Sequence, residues 1–275
     1  MLKDKDLYAS LKYDGYAILD GIPLKSLDDC FFSIEDKFEG LKHKISNNNN
    51  KIIDVDFHST FLDHHKEYKQ YVFEMISNLF RASVAEKLEP YKLIQANLFN
   101  KSKGKGFIVP HQNLTTVDES ISASYSIWVP LNDTNSENGT IHLTPKSHNK
   151  FEKYRNYNKH WSPLYASSEI NDYAMIPINL KKGQVLIFND SLVHASPINR
   201  SDLNRIVFHG IITPLHSDII YCKFNNNEVD LIKVSDDFWR TFTPGDDEPT
   251  APLIKSIPFK EVKYTKESIL REIAI

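Results

Sequence analysis

The chain has only two cysteines in 275 residues, no long apolar run and no surplus of basic charge. Each shortage excludes something. Cys30 and Cys222 are too few for a disulfide scaffold and match no CxxC metal spacing, so they read as free thiols of a reducing compartment. No apolar stretch approaches the roughly 18 residues of a membrane span, and the N-terminal MLKDKDLYASLKYDGY carries charge where a signal peptide has its apolar core. A cytoplasmic protein with no membrane partner is the expectation. Lys and Arg total 33 against 36 Asp and Glu, a net charge of −3, which argues against nucleic acid as a partner because neutralising phosphates needs a basic face. What is present, 41% hydrophobic and 25% charged residues, is ordinary for a globular chain, and the length suits one domain with trimmings.

Hydrophobic spacing divides the chain into a helical flank and a strand-rich centre. A short helix is expected around Asp4 to Lys12, an apolar Tyr16 to Leu19 strand after Asp14-Gly15, and a further helix after Pro23. Asn47 to Asn50 read as an exposed loop. Between His64 and Lys87 the residues Tyr68, Tyr71, Val72, Met75, Ile76, Leu79, Phe80 and Val84 recur every three or four positions, which predicts a long amphipathic helix. From Leu93 the period becomes two. Tyr125, Ile127, Val129 and Leu131 alternate with Ser126, Trp128 and Pro130, so one face of that strand suits a core and the other a cavity. Asn138-Gly139 predicts a hairpin turn into a partner strand from Thr140 to Thr144. Strands are expected at Gln184–Phe188 and Arg205–Thr213, and a terminal helix at Lys266–Ile273. Short strands punctuated by Gly, Asn and Pro suggest a mainly β jelly roll with flanking α-helices, and there is no internal repeat.

Within this frame, His111 and Asn113 stand two apart, so on a strand both side chains leave the same face. His194 follows the Gln184–Phe188 strand and can close a site from elsewhere in the fold. Two imidazoles and one side-chain oxygen suit non-haem Fe(II) with coordination positions left open for a 2-oxo acid and O2. Arg205, beyond the second histidine, adds a clamp for a dianionic cosubstrate.

Pro110-His-Gln-Asn113, Ile127-Trp-Val-Pro-Leu-Asn-Asp-Thr-Asn-Ser-Glu-Asn-Gly139, Pro145-Lys-Ser-His148, Gly183-Gln-Val-Leu-Ile-Phe188, His194-Ala-Ser196, Asn199-Arg-Ser201 and Arg205 together resemble the phytanoyl-CoA dioxygenase-like family of Fe(II)- and 2-oxoglutarate-dependent oxygenases. The resemblance covers about residues 93 to 214, and Asp14-Gly15-Tyr16 is similar as well. It implies a double-stranded β-helix, a cupin-like jelly roll, with its core at about 93–214, a helical and mixed flank at 1–92 and an extension at 215–275, all in one oxygenase-like domain. It implies iron held by His111, residue 113 and His194, and 2-oxoglutarate held by Arg205 and Ser196. Trp128 would line the cosubstrate pocket and Asn97 would make a polar contact there. The expected activity is 2-oxoglutarate-dependent hydroxylation of a small or medium organic substrate by O2.

The family carries aspartate where this chain has Asn113, an amide with one neutral oxygen to offer. Three readings follow. Asn113 ligates iron or holds a metal-bound water in a working hydroxylase; or an anion takes the vacated position in a halogenase-like variant, against which stands the bulk of Asn beside the Gly or Ala of family halogenases; or the chain is a non-catalytic jelly-roll ligand-binding relative, a pseudo-enzyme. A cupin-like isomerase is a further alternative, and Asp118 or Glu119 is a candidate substitute carboxylate. Among other residues, His142 is expected to be exposed, and His148 to shape a turn or the substrate side of the cavity. Adjacent His64 and His65 point apart. Lys101, Lys103 and Lys105 read as a solvated basic loop, with a lid over an anionic substrate as the functional alternative.

Overall fold

The computed structural model describes residues 2–45, 56–157, 175–260, 262 and 264–273. The run Asn47 to Asn50 lies outside them. In chain order the elements are α1 (Lys5–Tyr13), β1 (Tyr16–Leu19), α2 (Leu24–Ile45), β2 (His58–Ser59), α3 (Lys66–Ser83), β3 (Tyr91–Lys101), β4 (Ile108–His111), β5 (Tyr125–Pro130), β6 (His142–Leu143), β7 (Ile176–Pro177), β8 (Val185–Asn189), β9 (His194–Ser196), β10 (Arg205–Pro214), β11 (Ile220–Phe224), β12 (Glu228–Lys233), α4 (Phe238–Thr241), β13 (Leu253–Pro258) and α5 (Lys266–Ile273).

A six-stranded antiparallel sheet in the order β1-β8-β5-β10-β3-β2 faces a four-stranded sheet in the order β4-β9-β6-β7. This is a jelly roll: from β3 to β10 the chain passes repeatedly from one sheet to the other. The period-two sequences explain how the large sheet serves two purposes. Ala17 and Leu19 of β1, Ile127 and Val129 of β5, Ala96 and Leu98 of β3, and Phe208 and Ile212 of β10 point outward into one core with α3 residues Val72, Ile76 and Phe80. Those three α3 residues are fully buried, each stabilising the fold by roughly 2 kcal/mol relative to exposure. Residues of opposite parity point inward. Trp128, Leu186, Phe188 and Val207 meet Ile141 and Leu143 in a second cluster between the sheets. Register places Lys101, Phe99 and Asn97 of β3 opposite Arg205, Val207 and His209 of β10, and His209 opposite Trp128 of β5, so these side chains share the inner face.

In the small sheet, His111 of β4 pairs with His194 of β9, and Ile108 with Ser196. Three steps on β4 therefore match two on β9, a bulge that brings both histidines to one level.

Two expectations need correction. Asn138-Gly139 does turn the chain, with Gly139 at φ 70° and its Cα so close to Pro197 O that a Cβ would lie 2.4 Å away. It does not make a hairpin with β5, however. β6 pairs with β9 and β7 in the opposite sheet, because Asn135 and Asn138 build a connection from their own side-chain bonds to backbone N–H groups and to Asp133 O. The region after 214 also contains a three-stranded sheet, β11-β12-β13, which the sequence reading passed over. The terminal helix is found at Lys266–Ile273 as expected.

Candidate active site

The two histidines are held alike. Each ring Nδ1 lies 2.8 Å from the carbonyl two residues earlier, Val109 O for His111 and Leu192 O for His194. A carbonyl only accepts, so each Nδ1 carries the proton and each Nε2 carries a lone pair. The rings sit 4.2 Å apart between centroids, and Phe188 packs edge-on against His194 at 5.0 Å. Burial pulls the His111 pKa down to about 4 against smaller opposing contributions from the Val109 and His194 carbonyls. Burial and then the His111 charge push His194 well below its ordinary value. Both imidazoles are neutral at neutral pH, the form that binds a divalent metal.

Asn113 enters the same region from just past β4. Its backbone N–H donates to Asp190 O at 2.8 Å. Its side-chain Nδ2 donates to Asp190 Oδ1 at 2.8 Å and to Ser126 Oγ at 2.9 Å. Ser126 Oγ in turn donates to Asp190 Oδ1 at 2.6 Å and accepts from His209 Nε2 at 2.9 Å. His209 Nδ1 then accepts from Asn97 Nδ2 at 3.2 Å, and Asn97 also donates to Gln95 Oε1 at 3.2 Å. Every donor on this path leads towards the Asp190 carboxylate. Burial raises the Asp190 pKa to about 6, opposed by the nearby Ser124, Ser126 and Asn113 side chains, and burial lowers that of His209 to about 3.

The sequence reading passed over Asp190 and His209. His209 was accessible through strand parity, standing four residues after Arg205 on β10. Asp190 was not, because its link to Asn113 spans 77 residues. Asn97, expected at the cosubstrate, lies here as a partner of His209. Asp118 and Glu119 are engaged elsewhere: Asp118 accepts from Ser120 and Tyr154, and Glu119 accepts from the buried Arg155 and from Ser191.

About 13 Å along β10 from His209, at four residues of roughly 3.3 Å each, lies Arg205. It is 2% exposed, its guanidinium carbon sits 5.5 Å from the Trp128 ring centroid, and its Nε has no hydrogen-bond partner. Burial lowers its pKa to about 9, which still leaves it a cation at neutral pH. Beside it in the register is Lys101, whose exposure is 0%. Its Nζ donates to Ser196 Oγ at 2.5 Å, Pro197 O at 3.0 Å and Ser196 O at 3.3 Å. Burial and then Arg205 push its pKa well below the lysine range, whereas three acceptors call for three N–H donors. The geometry supports the ammonium form. Lys101 is thus not part of a solvated loop; it ends β3 on the inward parity. Lys103 remains at the surface and pairs with Asp202.

Ser196 gives its hydroxyl hydrogen to Gly139 O at 2.8 Å, so here it holds Lys101 in place. His142 is buried rather than exposed, and its Nδ1 lies 3.1 Å from Thr140 O. His148 faces Lys12 O at 3.2 Å, which suits the turn role. Among the described residues neither Lys101 nor Arg205 forms an ion pair with a carboxylate. An unpaired buried guanidinium is costly unless an anion completes it, so the pocket fits a carboxylate ligand. The paired neutral imidazoles could hold a divalent metal, with the Asn113 amide oxygen as a candidate third donor.

The model of the phytanoyl-CoA dioxygenase family matches residues 28–207, more than half of the chain. The chain belongs to this family. Phytanoyl-CoA dioxygenase domain-containing protein 1 of Danio rerio is 29% identical over 136 residues, covering 46% of this chain and 47% of that protein. Phytanoyl-CoA dioxygenase 1 of Oryza sativa subsp. japonica is 28% identical over 121 residues, 41% of each. The matches thus span less than half the length of these family relatives. Among solved structures, the non-heme alpha ketoglutarate dependent epimerase SnoN from nogalamycin biosynthesis superposes with a TM-score of 0.55 at 13% identity, covering 95% of this chain and 96% of that one. HygX from Streptomyces hygroscopicus, crystallised with nickel and 2-oxoglutarate, gives 0.54 at 13% identity, covering 78% of this chain and 88% of its own. These solved structures share the jelly-roll fold with the present chain.

Proposed function

We propose that the chain is an Fe(II)- and 2-oxoglutarate-dependent oxygenase that hydroxylates a small or medium organic substrate with O2. The observation that carries this reading is a pair of tautomer-locked imidazoles and a buried, unpaired guanidinium set around one interior. One end suits a cation and the other a carboxylate. When bound, iron would activate O2, the oxidant, with one oxygen atom taken up as the 2-oxo acid is oxidised to succinate and CO2 and the other left for the substrate.

The chain's own residues do the rest. His111 and His194 bind the metal through Nε2, and their Nδ1–H bonds to Val109 O and Leu192 O fix the ring planes. Asn113 offers Oδ1 as the third protein ligand, the one oxygen of the set. Arg205 binds the far carboxylate of 2-oxoglutarate and is kept in plane by the Trp128 face. Lys101, gripped by Ser196, adds positive charge beside it. Leu143, Leu186, Phe188 and Val207 exclude water from the interior.

This reading takes residues 1–275 as one functional unit, with the flanks supporting the core. It places the protein in a reducing compartment, consistent with the unpaired, buried Cys30 and Cys222; among the described residues no helix is long and apolar enough to cross a membrane.

An anaerobic titration tests the activity. Fe(II) followed by 2-oxoglutarate should give a visible charge-transfer band, and O2 should then yield succinate. Absence of both refutes the oxygenase reading. A band without succinate across candidate substrates favours the non-catalytic relative.

A further inference from the structure

The side chain of Asn113 is oriented without ambiguity. Its amide nitrogen donates to Asp190 Oδ1 and to Ser126 Oγ. Ser126 cannot return a hydrogen because its own goes to Asp190. Turning the amide over would set Asn113 Oδ1 against Asp190 Oδ1, two acceptors in contact. The amide nitrogen therefore faces the carboxylate and Oδ1 is the end left for a ligand. The backbone repeats the link, since Asn113 N–H donates to Asp190 O. Asp190 is completely buried; its Oδ1 accepts from Asn113 and Ser126, and the Ser124 side chain also favours its charged form. A carboxylate kept in so buried a place costs the fold stability even when hydrogen-bonded, which points to a use other than packing.

We propose that Asp190 supplies, one hydrogen bond removed from the metal, the negative charge that a carboxylate at position 113 would place directly on it, with Asn113 as the connecting amide. Donation of an amide N–H to a carboxylate polarises the amide towards its oxygen and strengthens Oδ1 as a donor. The arrangement parallels a carboxylate supporting a metal-bound imidazole. Asp190 is thus a positioning and charge-supplying residue, and Asn113 and Asp190 form one anionic arm divided between two side chains. The inference rests on the oxygenase reading for the presence of the metal.

The division makes a prediction that runs against simple ligand chemistry. Restoring the carboxylate alone, Asn113→Asp, should not tighten metal binding, because the new carboxylate would sit against Asp190 and the pair would take up one proton and share it, leaving the arm at one negative charge with only part of it on the ligand. Exchanging the pair, Asn113→Asp with Asp190→Asn, keeps the donor and acceptor count and moves the charge onto the metal.

Anaerobic titration of the four proteins with Fe(II), and with Co(II) followed by its visible absorption, reads this directly. Melting of the metal-free proteins reports on folding. Asp190→Asn should weaken metal binding about tenfold or more without lowering the metal-free melting temperature. Asn113→Asp alone should bind no tighter than the unaltered protein, and the exchanged pair should bind at least as tightly as the unaltered protein. Should Asp190→Asn fail to fold, the exchanged pair against Asn113→Asp carries the comparison. Metal affinity within twofold of the unaltered protein for a folded Asp190→Asn overturns the inference and leaves the oxygenase reading standing. So does Asn113→Asp binding as tightly as the exchanged pair. If the unaltered protein takes up neither metal, both readings fall.

Discussion

At the end of the interior proposed to hold the metal, donors run from Asn97 through His209 and Ser126 to the Asp190 carboxylate, and Asn113 donates to both Ser126 and Asp190. At the other end Arg205 keeps an Nε with nothing to donate to, and the neighbouring Lys101 spends its three hydrogens on the chain's own oxygens. The metal end is thus prepared by internal hydrogen bonds, and the anion end by withholding one. The difference suits the ligands. A metal needs its donors fixed in angle before it arrives, whereas a carboxylate brings its own acceptors and rewards donors that have none.

Acid should break the metal end with the largest effect. In the metal-free protein His111 and His209 hold their protons only below about 4 and 3, and His194 is depressed as well. Unfolded histidines take theirs near 6.5. As pH falls below about 6.5 the unfolded chain therefore binds more protons, and each histidine withdraws roughly 1.4 kcal/mol of stability per pH unit. Asp190 acts in the opposite sense, because its raised value of about 6 lets the native state take a proton first, and it offsets about one histidine. Urea melts at pH 7, 6 and 5 should show the net loss, and His209→Gln should flatten it. A pH-independent midpoint would contradict the buried, neutral assignment.

Removing the unpaired cation should separate affinity from stability at the anion end. Arg205→Met should reduce 2-oxoglutarate affinity by about a hundredfold, some 3 kcal/mol, as expected for a buried charge pair that loses one partner. The ligand-free protein should melt no lower, since an unsatisfied buried charge has gone. Calorimetric titration with 2-oxoglutarate and thermal melts without it provide the two readouts. Lys101→Met should weaken the same ligand less, about tenfold, and unlike Arg205→Met should lower the ligand-free melting temperature, because Ser196 and Pro197 lose a donor. Equal stability losses for the two variants would erase the distinction between satisfied and withheld donors.

The smallest change lies away from both ends. Lys146 is the non-glycine residue with positive φ among those described, at 67°, in the Pro-Lys-Ser-His segment where the resembling family has glycine. Its ammonium stacks 4.3 Å from the Tyr13 ring and donates to Tyr13 Oη at 3.0 Å. Lys146→Gly should relieve backbone strain and raise stability by about 0.5 to 1 kcal/mol in urea melts, leaving both affinities unaltered.

What the sequence made legible was local. The 3.6-residue period gave α3, alternation gave both faces of β5, and spacing set His111 beside Asn113. The destination of β6 was not legible, because a turn signal does not say which sheet receives the next strand. Lys101 is masked by its company: with Lys103 and Lys105 it looks like a charged loop, yet only parity along β3 decides which lysine turns inward. Asp190 and Asn113 meet across strands whose register no short window records.

The bulge in β4 acts as a ruler. Three steps there answer two on β9, so removing one residue between Ile108 and His111 would bring Gln112 opposite His194, and adding one would bring Pro110. Gln112 is buried and donates to Ser191 O at 2.7 Å. Surface connections generally tolerate a change of length; these few residues cannot be recounted without losing the centre they measure out.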